Sequence, residues 1–548
     1  MSHALRALLG YAVLTVVMTW PFATHLRIMD PGDSAYFAWA IGWEVHAIKT
    51  DPASLPHGNI FHPARYTIFM DEPILGTTLT VLPFALFTDD AVLLFNLARL
   101  LTFVLSGLGA YLLARELGVR GLLAFVAGAA FAFSPIRTDQ ISHLSTLGSQ
   151  WLPYVALFTI RFARGGRATD ALLAGLSFAL AAWACGYHGI FGLLVLPLFA
   201  LPLLWGRWSW LPRAIPAVLV AGALLLPLRS LHAVAFEAEG FSRPLDHAVF
   251  HSASIESFFA TSSWNNVWGE LTAPNRTMGS NNLFPGLLVP LAVLAAAGLL
   301  LRRRERPSRE ALAFLVMLVA GVIVCLGPEV RLQGETLFHG PYHLVRETIP
   351  MFQGVRVNSR AGIFLALAFS GLLALALKRL APSPRVTGLL LGGLLLEASV
   401  APIPIPRWMQ VIDSSQPAPA WVQWLAEQPG EFPIAHMPLL PTDGLFRRPH
   451  HEETVYMVWS TWHFKRLVNG NAGVEPATYR HVREVCRRFP ATPCLDALKE
   501  LGTRYVLVHE KGWGPNQLAR VQREWPAAAD RLPLVKDFGA GDRVHELR

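Results

Sequence analysis

The chain has 548 residues, of which 53% are hydrophobic and 15% charged, with a net charge of +8 and a mean hydropathy of +0.39. Soluble domains carry roughly 25% charged residues, so this composition excludes a wholly water-soluble protein and indicates an integral membrane one. The basic excess lies in short connectors between apolar runs, where it orients a membrane chain. Nucleic-acid binding is therefore set aside.

Arg6 and the apolar run from Leu8 have the outline of a signal peptide, but no small-x-small cleavage site precedes Thr24-His25, so the first segment is expected to stay as a span. Next comes a polar loop, residues 27–73, which opens on Asp30-Pro31-Gly32-Asp33 and closes on Met70-Asp71-Glu72-Pro73. Aromatic and polar residues interleave from Asp33 to His46, so an amphipathic helix lying in the membrane interface is expected there, with Asp33 at its N-cap or first turn. Asp is a favoured helix cap in its own right. Asp30 and the Asp71-Glu72 pair add a second acidic helix start, and the two are expected to converge on one site. A carboxylate beside the bilayer and beside another acid gains proton affinity, which suits a general base or a ligand for a divalent cation such as Mg²⁺ or Mn²⁺.

Eleven apolar runs approach the ~20 residues that cross a bilayer: 8–26, 91–114, 121–135, 147–163, 169–185, 188–206, 214–228, 284–301, 311–327, 361–377 and 386–403. A twelfth apolar stretch, 74–88, is either a span or an interfacial helix. Charge decides between them. With 74–88 interfacial, one face receives Arg6, Arg115, Arg120, Arg161, Arg164, Arg167, Arg207, Arg213, the basic run from Arg302 to Arg309, Lys378, Arg379 and Arg385, against four acids. That face is expected to be cytoplasmic. The carboxyl tail and the long loops 27–73, 229–283 and 328–360 then lie outside.

Three further stretches put polar groups on that outer face. The loop after Ser134 carries Arg137, Asp139 and His143, and His188 follows Cys185-Gly-Tyr. A lone His in such a place is more often a hydrogen-bonded structural residue, and both histidines are retained as candidates. Pro350-Met-Phe-Gln-Gly-Val-Arg356-Val-Asn-Ser-Arg360 sets two Arg four apart, expected on one helical face, either snorkelling to headgroups or clamping a phosphate.

Residues 404–548 form a charged tail after Pro402, Pro404 and Pro406. A helix at 420–428, strands at 432–437 and 504–509, and a helix at 515–525 suggest an α/β domain. Cys486 and Cys494 sit eight residues apart there, either as free thiols or as a small disulfide loop if the compartment is oxidising. The division expected is thus 1–403, a membrane domain with a large first outer loop, and 404–548.

With its inside amino terminus, acidic first outer loop at Asp33, about eleven spans and outer carboxyl domain, the chain resembles the GT-C superfamily of membrane glycosyltransferases. It also resembles bacterial polytopic proteins with a Pro-x-Phe-x-x-x-Arg pattern, here Pro350, Phe352 and Arg356. The tail lacks a Trp-Trp-Asp motif, which argues against the oligosaccharyltransferase branch. The resemblance implies a polytopic α-helical membrane fold with an extracytoplasmic α/β domain, in the bacterial inner membrane. It implies transfer of a sugar, with inversion, from a polyprenyl-phosphate donor to an acceptor hydroxyl on a glycan, lipid or protein. Asp33 would be the base, assisted by Glu72, while Asp30, Asp71, Arg137, His143, His188, Arg356 and Arg360 would bind substrate. Two other readings use the same residues: a lipid or glycan transporter or flippase, and a non-catalytic envelope assembly protein. A transporter would place charges in mid-span, where Arg99 and Glu397 are the main instances.

Overall fold

Long apolar runs with few polar side chains satisfy their backbone groups internally only as helices when water is absent, and each of the eleven runs contains one. The computed structural model describes residues 3–30, 32–238, 244–277, 281–403, 412–439 and 449–548. Six of its helical stretches are long and apolar enough to cross a membrane: Ala91–Glu116, Gly121–Thr138, Gly186–Leu204, Trp208–Phe236, Arg309–Leu326 and Asn358–Leu380. Shorter apolar helices occupy His3–Met18, Ala168–Ala184 and Leu288–Arg302. The run expected at 214–228 is longer than anticipated, because helix Ile215–Ala238 continues through Pro227. The stretch 74–88 is not a span: it breaks into the one-turn helices Leu75–Thr78 and Leu82–Ala85.

By packing, the chain forms two units, one of residues 1–25, 98–228 and 242–404, the other of 26–97, 229–241 and 405–548. The expected tail start at 404, like Pro31 of the acidic motif, lies outside the described residues. Packing groups most of the first loop with the tail, whereas the sequence division at 403/404 follows the covalent order.

The first unit is the helical one, and the two mid-span charges have structural work in it. Glu397 accepts hydrogen bonds from the amides of Leu287 (2.9 Å) and Leu288 (3.1 Å), so it caps helix Leu288–Arg302. Arg99 is buried with its guanidinium 4.8 Å from the Phe22 ring. Neither is placed as a free charge awaiting a transported ion.

The second unit is built on a five-stranded sheet. Pro433–Met437 lies between Arg466–Leu467 and Tyr505–His509, parallel to both, and Asp542–Glu546 then pairs antiparallel with Tyr505–His509 and with the edge strand Leu534–Asp537. The helices Ala420–Glu427 and Pro515–Ala528 fall where the sequence suggests, and Ala477–Val485 and Thr492–Glu500 are additional. The first loop is joined to this body through backbone. Ile28–Met29 pairs with Ile412–Asp413, the amides of Phe61 and His62 donate to the carbonyls of Asn469 (3.0 Å) and Leu467 (2.8 Å), and the Asn59 side chain donates to the Lys465 carbonyl (3.1 Å).

Cys486 and Cys494 are joined in a disulfide. A loop this short restricts the unfolded chain modestly. Replacing both by Ser is expected to lower the stability of the sheet body by about 2–3 kcal/mol on loop-closure grounds, read from hydrogen exchange at the central strands.

Candidate functional site

Helix Asp33–Thr50 sets the geometry of the acidic loop. The sequence suggests a half-wet interfacial helix, but Ser34 to Val45 and Ala47 are buried on every side, with helix Pro449–Ser460 packed along it. Small residues make this possible: a Cβ at Gly42 would stand 2.7 Å from the Thr461 methyl. The correction has a simple cause, since the apolar positions continue all round the helix instead of forming one stripe.

Asp33 is the exception. It lies in the first helical turn, exposed, behind a Gly32 N-cap with φ 93° that no side chain caps. Asp33 is thus not the cap; the turn is held by the Gly32 amide donating to Thr454 Oγ1 (3.1 Å) and by Ser34 Oγ donating to Asp30 Oδ2 (3.2 Å). Asp30 therefore organises the turn while Asp33 projects from it.

The second acidic pair is fixed by a buried carboxylate. Glu44 accepts from the Ile74 amide (3.1 Å) and from the Thr78 hydroxyl, which sets the chain directly after Asp71-Glu72. Burial raises the Glu44 carboxyl to about 7, against the lowering effect of those two bonds. Asp71 accepts from the Glu72 amide (2.8 Å) and lies against Gly473, where a Cβ would stand 3.4 Å from Asp71 Oδ2. The Tyr36 hydroxyl, from the first turn of the same helix as Asp33, is buried and held well above its usual value by burial and then by Asp71, Glu44 and Glu72. Tyr36 is a neighbour of the second acidic pair that the sequence does not reveal. His232 also lies near Glu72, its Nδ1 2.9 Å from the Phe69 carbonyl. Among the described residues no group of three or more His, Cys, Asp or Glu is arranged to hold a metal ion.

The remaining candidates are in the first unit, and several differ from expectation. Arg137 is fully buried, not a surface cation. Its Nε donates to Ser149 Oγ (3.0 Å), Nη2 to the Leu147 carbonyl (3.0 Å) and Thr102 Oγ1 (3.3 Å), and Nη1 to the Ala132 carbonyl, while the rings of Phe103 and Phe131 cover it. It organises the loop after the second long span, with four of its five N–H groups given to protein acceptors. His188 is buried beside it, within the fields of Arg137 and Arg360. His143 is half-buried near Asp139, whose carboxyl burial raises to about 6 although Asn282 (3.1 Å) and Gln140 (3.2 Å) donate to it. Asp139, present in the sequence reading but not singled out, is the titratable group of that loop.

Arg356 and Arg360 do not share a helical face. The segment folds as two separate 3₁₀ turns, Pro350–Phe352 and Asn358–Ala361, with Arg356 in the extended stretch between them. Pro350 starts the first turn, and the chain turns at Gln353-Gly354 before the second. Arg360 stacks on the Tyr187 ring at 4.7 Å, and Arg356 Nε is buried without a hydrogen-bond partner among the described residues.

The tail carries a polar chain that the sequence does not disclose. His436 Nδ1 lies 2.9 Å from His509 Nε2, and His509 Nδ1 lies 2.9 Å from Asp542 Oδ1. An ionised Asp accepts only, so His509 carries its proton on Nδ1, and His436 donates from Nδ1, leaving its Nε2 bare. Tyr456 stacks on His436 at 4.3 Å, and Trp421 meets both imidazoles edge-on.

The fold is that of a polytopic helical membrane protein. The chain is similar to the arabinofuranosyltransferase AftD from Mycobacteria at 17% identity and a TM-score of 0.60, covering 100% of this chain and 40% of that one. It is also similar to the archaeal oligosaccharyltransferase AglB from Archaeoglobus fulgidus, at 14% identity and a TM-score of 0.47 over 97% of this chain and 72% of that one. It thus spans well under half the length of AftD. No curated protein matches it in sequence. The chain belongs to the family described as Domain of unknown function (DUF6311), whose model matches residues 7–399.

The tail histidines generate a pH dependence. Burial, with His509 and His463, holds His436 well below the usual histidine range, and burial with Lys465 lowers His463 to about 3. The unfolded chain takes up protons below about pH 6.5 that the folded chain refuses, so stability is full above that pH and falls as pH drops. Hydrogen exchange at strands Pro433–Met437 and Tyr505–His509, corrected for intrinsic rates, should show this loss, and His436→Phe should make it shallower.

Proposed function

We propose that this protein transfers a sugar from a polyprenyl-phosphate donor to an acceptor hydroxyl, with Asp33 as general base. The observation that carries this reading is an exposed carboxylate in the first turn of a helix that is buried from Ser34 to Val45, in a GT-C fold. A base must be both accessible and fixed in position. Asp33 meets both requirements, because the helix behind it is packed on all sides and the turn before it is hydrogen-bonded.

In the proposed step, Asp33 takes the proton of the acceptor hydroxyl while that oxygen forms a bond to the anomeric carbon. The anomeric carbon–oxygen bond to phosphate breaks, the polyprenyl phosphate leaves with the electron pair, and the configuration inverts. Phosphate is a competent leaving group, so no strong general acid is required. Cations stabilise the charge it develops. Within the helical unit, taken by itself, Arg360 and Arg356 are the arginines proposed to bind a phosphate, whereas Arg137 is committed to the protein. Glu72 and Asp71 are proposed to bind and orient the acceptor, with Asp30 shaping the turn that carries Asp33. His143 and His188 are assigned to the architecture around Asp139 and Arg360.

The proposed orientation places the basic connectors in the cytoplasm and the 405–548 body outside, in the periplasm of an inner-membrane protein. The charge distribution supports it, and so does the Cys486–Cys494 disulfide, since such bonds persist in oxidising compartments.

Asp33→Asn keeps shape and removes the base. Transfer from a polyprenyl-phosphate sugar should fall by about 10²–10⁴-fold, the contribution of general-base catalysis, with donor binding unchanged; a full transfer rate in that variant would eliminate the assignment. Arg360→Ala should weaken donor binding, measured by titration with polyprenyl phosphate, while Arg137→Ala should instead lower thermal stability. Equal donor affinity in wild type and Arg360→Ala would remove Arg360 from the phosphate role.

A further inference from the structure

One element of the helical unit has its polarity reversed. In helix Pro341–Thr348 the buried residues are Tyr342 and Arg346, while Leu344 is 65% exposed. Arg346 turns inward to donate to the carbonyls of Phe352 and Val355, both at 3.3 Å. Preceding it, the hairpin of Glu329–Leu332 and Glu335–His339 turns at Gln333-Gly334, both at positive φ, and exposes Leu332, Leu337 and Phe338. Leu337 is the extra residue where the register shifts between Val330 and Arg331, and every residue of strand Glu335–His339 is exposed. These apolar side chains are uncovered directly beside the end of helix Arg309–Leu326, which is long and apolar enough to cross a membrane, so lipid is the apolar medium at hand.

The hairpin is also held close to the end of a membrane helix. Its base follows helix Arg309–Leu326 directly, closed by the Gly340 amide donating to the Pro328 carbonyl (3.0 Å). Its tip is pinned back, with the Gln333 amide donating to Glu256 Oε1 (3.0 Å) and Arg331 Nη2 to the Ser252 carbonyl (2.9 Å). The neighbouring Ala253 amide in turn donates to the carbonyl of Cys325, in the last turn of that helix (2.8 Å). Three residues from Ala253 to Glu256 reach at most about 11 Å, comparable with the roughly 5–8 Å headgroup layer of each leaflet. The hairpin therefore folds back over the end of the span instead of standing away from it.

We propose that the Glu329–His339 hairpin and helix Pro341–Thr348 form an interfacial element that lies in the headgroup layer of the bilayer, with Leu337, Phe338 and Leu344 immersed in lipid. The occupant of this apolar surface is the lipid itself. Snorkelling polar groups complete the arrangement: Thr336 donates to Glu329 (2.8 Å) and His343 pairs with Glu347 (3.0 Å) along the polar edges.

The test is spin labelling of the full chain reconstituted in phosphatidylcholine nanodiscs. Phe338→Cys and Leu344→Cys are labelled in separate variants, the native free thiols Cys185 and Cys325 being buried. Collision with oxygen and with a water-soluble nickel chelate is compared with two reference sites, Leu224→Cys on the exposed face of helix Ile215–Ala238 and Lys511→Cys on the tail. The expected result is an oxygen-over-nickel ratio between those of the Leu224 and Lys511 sites. A ratio equal to that of the Lys511 site overturns the proposal by placing the element in water, and protection from both reagents overturns it by placing the element under protein.

Discussion

The acidic loop depends on one buried interaction, the Glu44 carboxylate accepting from the Ile74 amide and the Thr78 hydroxyl. A carboxyl group in that position is costly unless its oxygens are bonded, and here both are. The bond ties the middle of helix Asp33–Thr50 to the chain that follows Asp71-Glu72. Because a helix rises 1.5 Å per residue, fixing Glu44 fixes Tyr36 about 12 Å along the axis, beside the second acidic pair. One buried carboxylate thus sets the register of the other carboxylates.

A division of labour among charged groups follows. Three charged groups that packing encloses are matched to protein partners: Glu397 to two amides, Arg137 to four carbonyl or hydroxyl acceptors and two rings, and Glu44 to its two donors. These residues resemble functional candidates in a sequence, because charge in an apolar context is rare and conspicuous. Their hydrogen bonds identify them as architecture. What distinguishes Asp33 is the combination of exposure with a rigid backbone, and neither property is encoded in its residue type.

The helices are legible because the apolar runs are long. Residues 74–88 read as something other than a span because the basic connectors fall on one face only under that assignment. The tail is legible where strands read as apolar runs, as in Tyr505-Val-Leu-Val-His509, and illegible where they do not. Asp542-Arg-Val-His-Glu546 has only Val544 as an apolar residue, yet it is an inner strand of the sheet, since both its neighbours supply backbone bonds. The His436–His509–Asp542 chain joins residues 73 and 33 positions apart, and no local pattern could assemble it. The Arg356 and Arg360 pairing fails for a different reason: i,i+4 spacing implies a shared face only inside a helix, and the segment between Pro350 and Ala361 is broken into two turns.

The turn at Asp30–Asp33 shows why an outward-facing carboxylate and a capping carboxylate are physically distinguishable. An N-cap Asp must direct its oxygens back toward the amides of N2 or N3, which removes it from an incoming substrate. Gly32 occupies the cap at φ 93°, a conformation that favours glycine, and its amide is bonded to Thr454. The capping position is therefore filled by a residue with no side chain, and the acid is displaced one residue into the helix, where its side chain is exposed. A side chain at position 32 would strain the turn, and an Asp there would restore the cap and direct the carboxylate inward. The glycine and the aspartate are in this sense a single device: the first gives up the stability of a cap so that the second can face outward.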